Sequence, residues 1–290
     1  MKIHHLTTSI LANEEIAQSL WRLRLDAPAI AASVKPGQFV MLRQPGARDP
    51  LLGRPLAIYR VENDCVDVIY AVVGKGTRLM SALLPGNAIE VWGPLGNGWN
   101  LTDFQPEVMQ VLVAGGIGQT PMYLLANQLL QSGAKRVCLC MGSRDAAHLS
   151  CTEDFASLSS AYENRLEVRI ATDDGSVGHH GFVTDLLENT LAEVPSTGGS
   201  ASDEAVPDVT TNVPARVYAC GPGPMLRRVA EIAQKWNAPC QVSLETPMAC
   251  GMGICFTCVT KCKADNADGW DYCRTCTEGP VFDAAKLIWD

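Results

Sequence analysis

The sequence predicts an α/β plus β protein: an antiparallel β-barrel, then a parallel-sheet nucleotide-binding domain, then a small cysteine-bearing C-terminal domain. Three observations carry this. Residues 3–99 read as short strands broken by Gly and Pro, at 20–25, 39–42, 56–59, 66–72 and 88–91, the spacing of a small barrel. After Phe104 the pattern becomes strand and helix in alternation, with strands at 108–114, 137–141, 166–171 and 217–220 and helices at 121–131 and 224–236, as in an open parallel sheet. The end of the chain then gathers Cys250, Cys255, Cys258 and Cys276. The expected domains are 1–102, 103–238 and 239–290. Residues 195–214, rich in Gly, Ser, Thr and acidic residues with little to bury, read as a mobile insertion without chemistry.

In the barrel region, Arg54-Pro55-Leu56-Ala57-Ile58-Tyr59 opens a strand on which Pro55 stiffens the backbone and Arg54 offers a planar fork to a phosphate or an electron-rich ring. Val73-Gly74-Lys75-Gly76-Thr77 brings amides, a cation and a hydroxyl together in a way that suits a pyrophosphate. It is too short for the phosphate loop of ATPases. Each alone could be an ordinary turn. Together with Pro36-Gly37-Gln38-Phe39 and Gly93-Pro94-Leu95-Gly96-Asn97-Gly98 they form a set.

In the second region, Ala114-Gly115-Gly116-Ile117-Gly118-Gln119-Thr120-Pro121 ends an apolar strand and opens a helix, where a dinucleotide pyrophosphate can approach backbone N–H groups. A second glycine-bearing strand end, Cys220-Gly221-Pro222-Gly223, follows later, and two such ends on one side of a parallel sheet make a cleft. Asp173-Asp174-Gly175-Ser176 follows another strand. Carboxylates there would repel a 2′-phosphate and accept from a ribose hydroxyl, although Asp and Gly equally suit a cap or turn. His179 and His180 read as surface residues.

Cys-x4-Cys-x2-Cys with one distant Cys is the spacing of plant-type [2Fe-2S] ferredoxins. Gly251 and Gly253 let the backbone wrap closely so that N–H groups can point at sulfur. Zinc is the competing reading, but zinc sites usually use two Cys-x2-Cys knuckles. Spacing leaves the fourth ligand open between Cys276, Cys273 and Cys262.

The bulk properties set limits. A length of 290 residues allows two or three domains, and a net charge of −8 argues against nucleic acid or an anionic membrane as partner. No stretch has the 18 or more apolar residues of a membrane span, and the N-terminus lacks the apolar run of a signal peptide. Twelve cysteines are then expected in a reducing cytoplasm.

The order Pro-Gly-Gln-Phe, Arg-Pro-Leu-Ala, Gly-Lys-Gly-Thr, Gly-Gly-Ile-Gly and Cys-Gly-Pro resembles the ferredoxin-NADP reductase superfamily. With Ser243-Leu244-Glu245 before the cysteines and Cys276-Thr277-Glu278-Gly279-Pro280-Val281-Phe282 after them, the chain closely resembles the electron-transfer subunits of class B, NAD-dependent dihydroorotate dehydrogenases. The resemblance covers most of the chain. It implies FAD on the barrel, NAD on the α/β domain and a [2Fe-2S] cluster at the C-terminus. It also implies an FMN-containing dihydroorotate dehydrogenase catalytic subunit as partner, with two copies of each subunit.

The resemblance places Arg54, Pro55, Leu56 and Ala57 along the flavin, Ile69, Tyr70 and Ala71 on a second flavin strand, and Gly76 and Thr77 at its phosphates. It places Gly115, Gly116, Gly118, Asp173 and Gly221 at the nicotinamide nucleotide, Cys220 near its ring, and Cys250, Cys255, Cys258 and Cys276 on the cluster. Ala57 departs from the usual Ser, which removes a hydroxyl that could bond flavin N5, and Gln119-Thr120 replaces more apolar residues. The function expected is transfer of electrons from the partner's FMN through [2Fe-2S] and FAD to NAD+, in pyrimidine biosynthesis. A diaphorase subunit of a hydrogenase, sulfide dehydrogenase or transhydrogenase shares the same modules. A zinc-stabilised nucleotide-binding regulator is the non-enzyme alternative.

Overall fold

The computed structural model describes residues 2–46, 48–194 and 215–289; the expected insertion at 195–214 lies outside them. Six strands close the barrel in the order β1-β2-β5-β4-β3-β6. They are β1 (His4–Ala17), β2 (Leu20–Asp26), β3 (Phe39–Arg43), β4 (Arg54–Glu62), β5 (Cys65–Ala71) and β6 (Ala88–Leu95). Alternate residues such as Leu23 and Leu25, Val40 and Leu42, and Val66 and Val68 are fully buried in its centre, as the two-residue period of a strand requires. β1 was not among the expected strands, because Ile10 is its one fully inward residue. It closes the barrel by pairing antiparallel with both β2 and β6. A single turn, α1 (Pro28–Ala31), plugs the barrel with Ile30. The stretch expected as a phosphate loop becomes a helix from its third residue, α2 (Lys75–Ser81).

The nucleotide-binding half is one seven-stranded sheet, in the order β10-β9-β8-β7-β11-β12-β15. Its strands are β7 (Met109–Gly115), β8 (Val137–Ser143), β9 (Leu166–Thr172), β10 (His179–His180), β11 (Ala215–Cys220), β12 (Cys240–Ser243) and β15 (Val281–Asp283). Every residue of β7 is buried, which fits a central parallel strand covered on both faces. The helices are α3 (Met122–Gln131), α4 (Thr152–Ala161), α5 (Val183–Ala192) and α6 (Gly223–Lys235). Leu112 and Ala114 pack with α3 and α4, while Val111 and Val113 pack with α5 and α6. The sequence pattern had shown α3 and α6 but not α4 and α5. From β7 the chain builds outward through β8 to β10, then returns to place β11 on the other side of β7. That reversal opens a crevice at the strand C-termini, where such folds bind ligands.

The cysteine segment is an excursion from this sheet. β12 pairs parallel with β11, β15 pairs antiparallel with β12, and the chain between them forms the cysteine loop and a hairpin, β13 (Val259–Lys263) and β14 (Trp270–Arg274). Both ends of the loop are therefore fixed by sheet hydrogen bonds.

Asn97, just past β6, holds the barrel to the return strand. Its amide donates to Val281 O at 2.8 Å and Glu278 O at 3.0 Å, and its oxygen accepts from Val281 N at 3.0 Å. Asn97→Ala leaves three backbone groups short of a partner and is expected to destabilise the protein by about 1–3 kcal/mol, read as a lowered urea midpoint with unchanged slope.

Candidate functional site

The cysteines sort into pairs. Gly251 (φ +71°), Phe256 (φ +55°) and Gly253 (φ +81°) put the loop through left-handed turns, which Phe256 occupies only at a steric cost. The turns aim donors at sulfur: Met252 N lies 3.4 Å from Cys250 Sγ, Gly253 N 3.2 Å from Cys276 Sγ, and Thr257 Oγ1 3.2 Å from Cys255 Sγ. Cys250 neighbours Cys255, Cys258 neighbours Cys276, and Cys262 neighbours Cys273 across the hairpin. Thr275 N donates to Cys258 O at 2.7 Å. The chain thus brings Cys276 to the loop and leaves Cys273 with Cys262, a distinction that spacing could not make.

Cys258 and Cys276 are 2% and 1% exposed, in one apolar cluster with Phe39, Met41 and Leu95 of the barrel. Trp92 Nε1 donates to Cys250 O at 3.1 Å, and a Cβ on Gly251 would lie 2.8 Å from Met41 Cγ. The inner pair therefore faces the barrel wall, while Cys255 is exposed. Among the described residues no three Cys, His, Asp or Glu side chains converge on a point where one ion could sit. Four thiols in two pairs suit a two-iron centre with two sulfurs per metal better than a single tetrahedral zinc.

The wall matters because of what lies beside it. β3 pairs with β4 so that Met41 opposes Pro55 and Phe39 opposes Ala57. On β4, Arg54, Pro55, Leu56 and Ala57 are all half-buried, where alternation alone would bury every second one. Arg54 Nη1 donates to Leu52 O at 2.8 Å and Gly53 O at 3.1 Å. A Cβ on Gly76 would overlap this guanidinium, so the glycine keeps Arg54 against α2. Thr77 Oγ1 accepts from Val73 N at 3.1 Å and Gly74 N at 3.2 Å. The first-turn amides of Lys75, Gly76 and Thr77 have no carbonyl one turn back. On β5, Ile69 and Tyr70 are buried, Tyr70 donating to Asn13 Oδ1 at 3.0 Å, and Ala71 is half-buried. Tyr70 can present only its main chain outward.

In the sheet crevice, Gly115 ends β7, Gly116 is exposed, and a Cβ on Gly118 would overlap the Cys220 carbonyl. The loops carrying Gly118 and Gly221 are thus in contact at the switch point. Burial pushes the Cys220 thiol up to about 12, and the residue is half-buried at the end of β11. Gln119 is buried and hydrogen-bonds Ser150 Oγ, which explains a polar residue after the glycines. Asp173 and Asp174 separate in role. Asp174 accepts from Ser176 N at 2.9 Å and Ser176 Oγ at 2.6 Å, which lowers its pKa. Asp173 is exposed at the strand end, its N–H bound to Ser143 O at 3.0 Å. His179 and His180 are exposed on the edge strand.

Sequence reading missed Trp92, Met41 and Thr257, and gave Asn97 only as part of a glycine-rich motif. Trp92 and Met41 look like ordinary barrel residues, and nothing local marks their contact with a loop some 160–210 positions later.

The comparisons with known proteins agree with this architecture. The NADH-dependent reduced ferredoxin-NADP oxidoreductase structure superposes with a TM-score of 0.77 over 98% of this chain and 90% of that one, at 23% identity. A ferredoxin NADP+ reductase from Neisseria gonorrhoeae with bound FAD and NADP superposes at 0.62 over 80% and 91%, at 16% identity. Residues 112–231 match the oxidoreductase NAD-binding domain, and residues 245–288 match the iron-sulfur cluster binding domain of dihydroorotate dehydrogenase B. Barrel, sheet and cysteine excursion together define an electron-transfer component of an NAD-linked oxidoreductase.

Two relatives carry the assignment further. Both are dihydroorotate dehydrogenase B (NAD(+)) electron transfer subunits: that of Geobacillus kaustophilus is 36% identical over 97% of each chain, and that of Fusobacterium nucleatum 33% over 99% of each. The chain belongs to this family. Among the described residues no helix is long and apolar enough to cross a membrane.

The loop geometry sets reactivity in the cluster-free chain. The Thr257 hydroxyl and amide, then Cys250, hold the Cys255 thiol down to about 6, while burial and Cys258 push Cys276 up to about 12. Alkylation by iodoacetamide should therefore select Cys255, its rate rising with pH through a midpoint at about 6, and Thr257→Val should move that midpoint upward. Equal labelling of Cys255 and Cys276 at neutral pH would contradict this.

Proposed function

We propose that this chain receives electrons from the FMN of a dihydroorotate dehydrogenase catalytic subunit and delivers them to NAD+, serving pyrimidine synthesis. The observation that carries the reading is the shared barrel wall: the buried Cys258 and Cys276 pack on Met41, and Met41 opposes Pro55 of the half-buried β4 run. A [2Fe-2S] centre held by these cysteines and a flavin held on β4 would share this wall, since β3 and β4 are paired neighbours. The modular reading is 1–102 for FAD, 103–238 for NAD and 239–290 for the cluster, the last rooted in the sheet by Cys240–Ser243 and Val281–Asp283.

The residues fit these groups. Cys250 and Cys255 would hold one iron, Cys258 and Cys276 the other, with the amides of Met252 and Gly253 and the Thr257 hydroxyl neutralising sulfur charge. Arg54, Pro55, Leu56 and Ala57 would flank the flavin with the main chain of Ile69, Tyr70 and Ala71, and the amides of Gly76 and Thr77 would meet its phosphates. When bound, FAD joins hydride exchange with nicotinamide to single-electron exchange with iron-sulfur. Ala57 offers no side-chain donor, so any bond to the ring must come from backbone N–H. Gly115, Gly116 and Gly221 would leave room for the nicotinamide nucleotide, Gly118 would hold the two loops together, and Asp173 would accept from the adenosine ribose. Cys220 would pack beneath the ring.

The catalytic subunit would dock over the exposed Cys255. Met252, Ile254 and Phe256 there are 44%, 75% and 62% exposed, and the Arg274 guanidinium lies 5.2 Å from the Phe256 ring centre. An apolar patch of this kind marks a protein contact. A complex with two of each subunit completes the reading.

Co-purified with an FMN catalytic subunit and fully loaded with cofactors, the chain should reduce NAD+ with dihydroorotate; no activity in that state would sink the assignment. Cys255→Ser and Cys276→Ser should abolish the iron-sulfur absorbance and the dihydroorotate-linked reaction, while NADH oxidation by an artificial acceptor survives. Cys273→Ser should keep the cluster. Asp173→Ala should raise the KM for NADH about tenfold, the loss of a hydrogen bond to a charged acceptor, and narrow the preference over NADPH; an unchanged preference would remove Asp173 from the ribose site.

A further inference from the structure

Barrel and sheet also meet along a seam away from the cysteines. Tyr59 lies two residues beyond Ala57 on β4, is fully buried, and donates to Asp154 Oδ2 at 2.7 Å. Arg22 of β2 pairs with the same carboxylate oxygen, its guanidinium 5.5 Å from the Tyr59 ring centre. Arg60 reaches Asp154 Oδ1 at 3.8 Å and lies 5.9 Å from the Tyr123 ring centre, while the Tyr59 and Tyr123 rings are 5.0 Å apart. Arg60 is itself held by Asp67, which is 1% exposed and also binds Arg24. The barrel half of the seam is thus set in advance, and one sheet-domain carboxylate receives three barrel side chains.

Tyr59 continues the proposed flavin strand. Tyr123 belongs to α3, which opens after the Gly116–Gln119 turn, and Asp154 sits in the first turn of α4. Charged hydrogen bonds are directional and fix lateral register, which apolar contact alone does not. We propose that Asp154 is a positioning residue: gripped by Tyr59, Arg22 and Arg60, it sets the nicotinamide-binding crevice against the flavin strand at hydride-transfer distance. This rests on the FAD and NAD reading above. The step it serves, FADH− + NAD+ giving FAD + NADH, breaks one N–H bond and forms one C–H bond as two electrons and a proton pass together, and the same geometry governs its reversal by NADH. It needs the reacting atoms about 3–3.5 Å apart, and a misplacement of about 1 Å costs about a hundredfold.

Rapid mixing of the FAD-loaded chain with NADH, followed by flavin bleaching, tests this. Asp154→Ala should lower the limiting rate about thirty- to a hundredfold with the apparent Kd for NADH within about threefold and FAD content unchanged. Asp154→Glu should recover part of the loss, and Tyr59→Phe should cost about five- to tenfold. In the cofactor-free chain, amide exchange should quicken in Asp154→Ala at residues 58–61 and 152–156 together, which reads the seam without any reaction. Should Asp154→Ala not fold, Tyr59→Phe and Asp154→Glu decide alone. Limiting rates within about twofold of the parent, or a change confined to Kd, overturn the proposal. A parent that holds FAD yet is not bleached by NADH overturns the functional reading as well, whereas a bleached parent with unaltered variants overturns only the positioning role.

Discussion

The burial of Cys258 and Cys276 against Met41 and Leu95 is the contact on which the arrangement depends. A cysteine loop on a free tail would order only at the expense of its own chain entropy, about 1–2 kcal/mol per residue. Here that cost falls on a segment already closed at both ends, by β12 alongside β11 and by β15 alongside β12. Met41 and Leu95, at 0% and 1% exposure, contribute about 1.5–3 kcal/mol each when fully buried. The Trp92 bond to Cys250 O adds direction to that apolar contact. The left-handed turn at Gly251, set against Met41 and Leu95, is therefore shaped by this contact.

Two seams of different chemistry join the barrel to the rest. The cysteine seam is apolar, with Asn97 bonding the return strand at its edge. The Tyr59–Asp154 seam is charged and aromatic. An apolar contact sets separation, because packing density resists compression; a charged, hydrogen-bonded one sets registry. Three modules held by one seam of each kind have few ways to move relative to one another. That suits a chain whose proposed task is to keep redox groups at fixed gaps.

The fold class was legible because the barrel half is a series of short strands broken by Gly and Pro, and the sheet half opens with the apolar runs of β7 and β8 bounded by glycine. β1 was not, since its partners β2 and β6 supply the burial that its own sequence lacks. α4 was missed because only Phe155 and Leu158 are buried in it, too few to set a helical period. The cysteine spacing announced the centre but not its membership. Cys276 is separated from Cys273 by the chain path, through Gly253 N to Cys276 Sγ and Thr275 N to Cys258 O. Asp173 and Asp174 were equivalent as letters and became distinct only when Ser176 engaged one of them.

The unequal exposure of the two thiol pairs gives the centre a direction. Cys258 and Cys276 are enclosed on the barrel side, one strand from β4, while Cys255 lies at the surface among Met252, Ile254 and Phe256. A centre with both pairs enclosed would be shielded from an external donor, and one with both exposed would discharge to any acceptor in solution. With Cys255 at the surface and Cys258 and Cys276 enclosed, an electron would enter where a protein partner could cover the apolar rim and leave where the barrel already excludes water. Covering that rim also removes exposed apolar surface, so partner binding and insulation of the centre are favoured by the same burial.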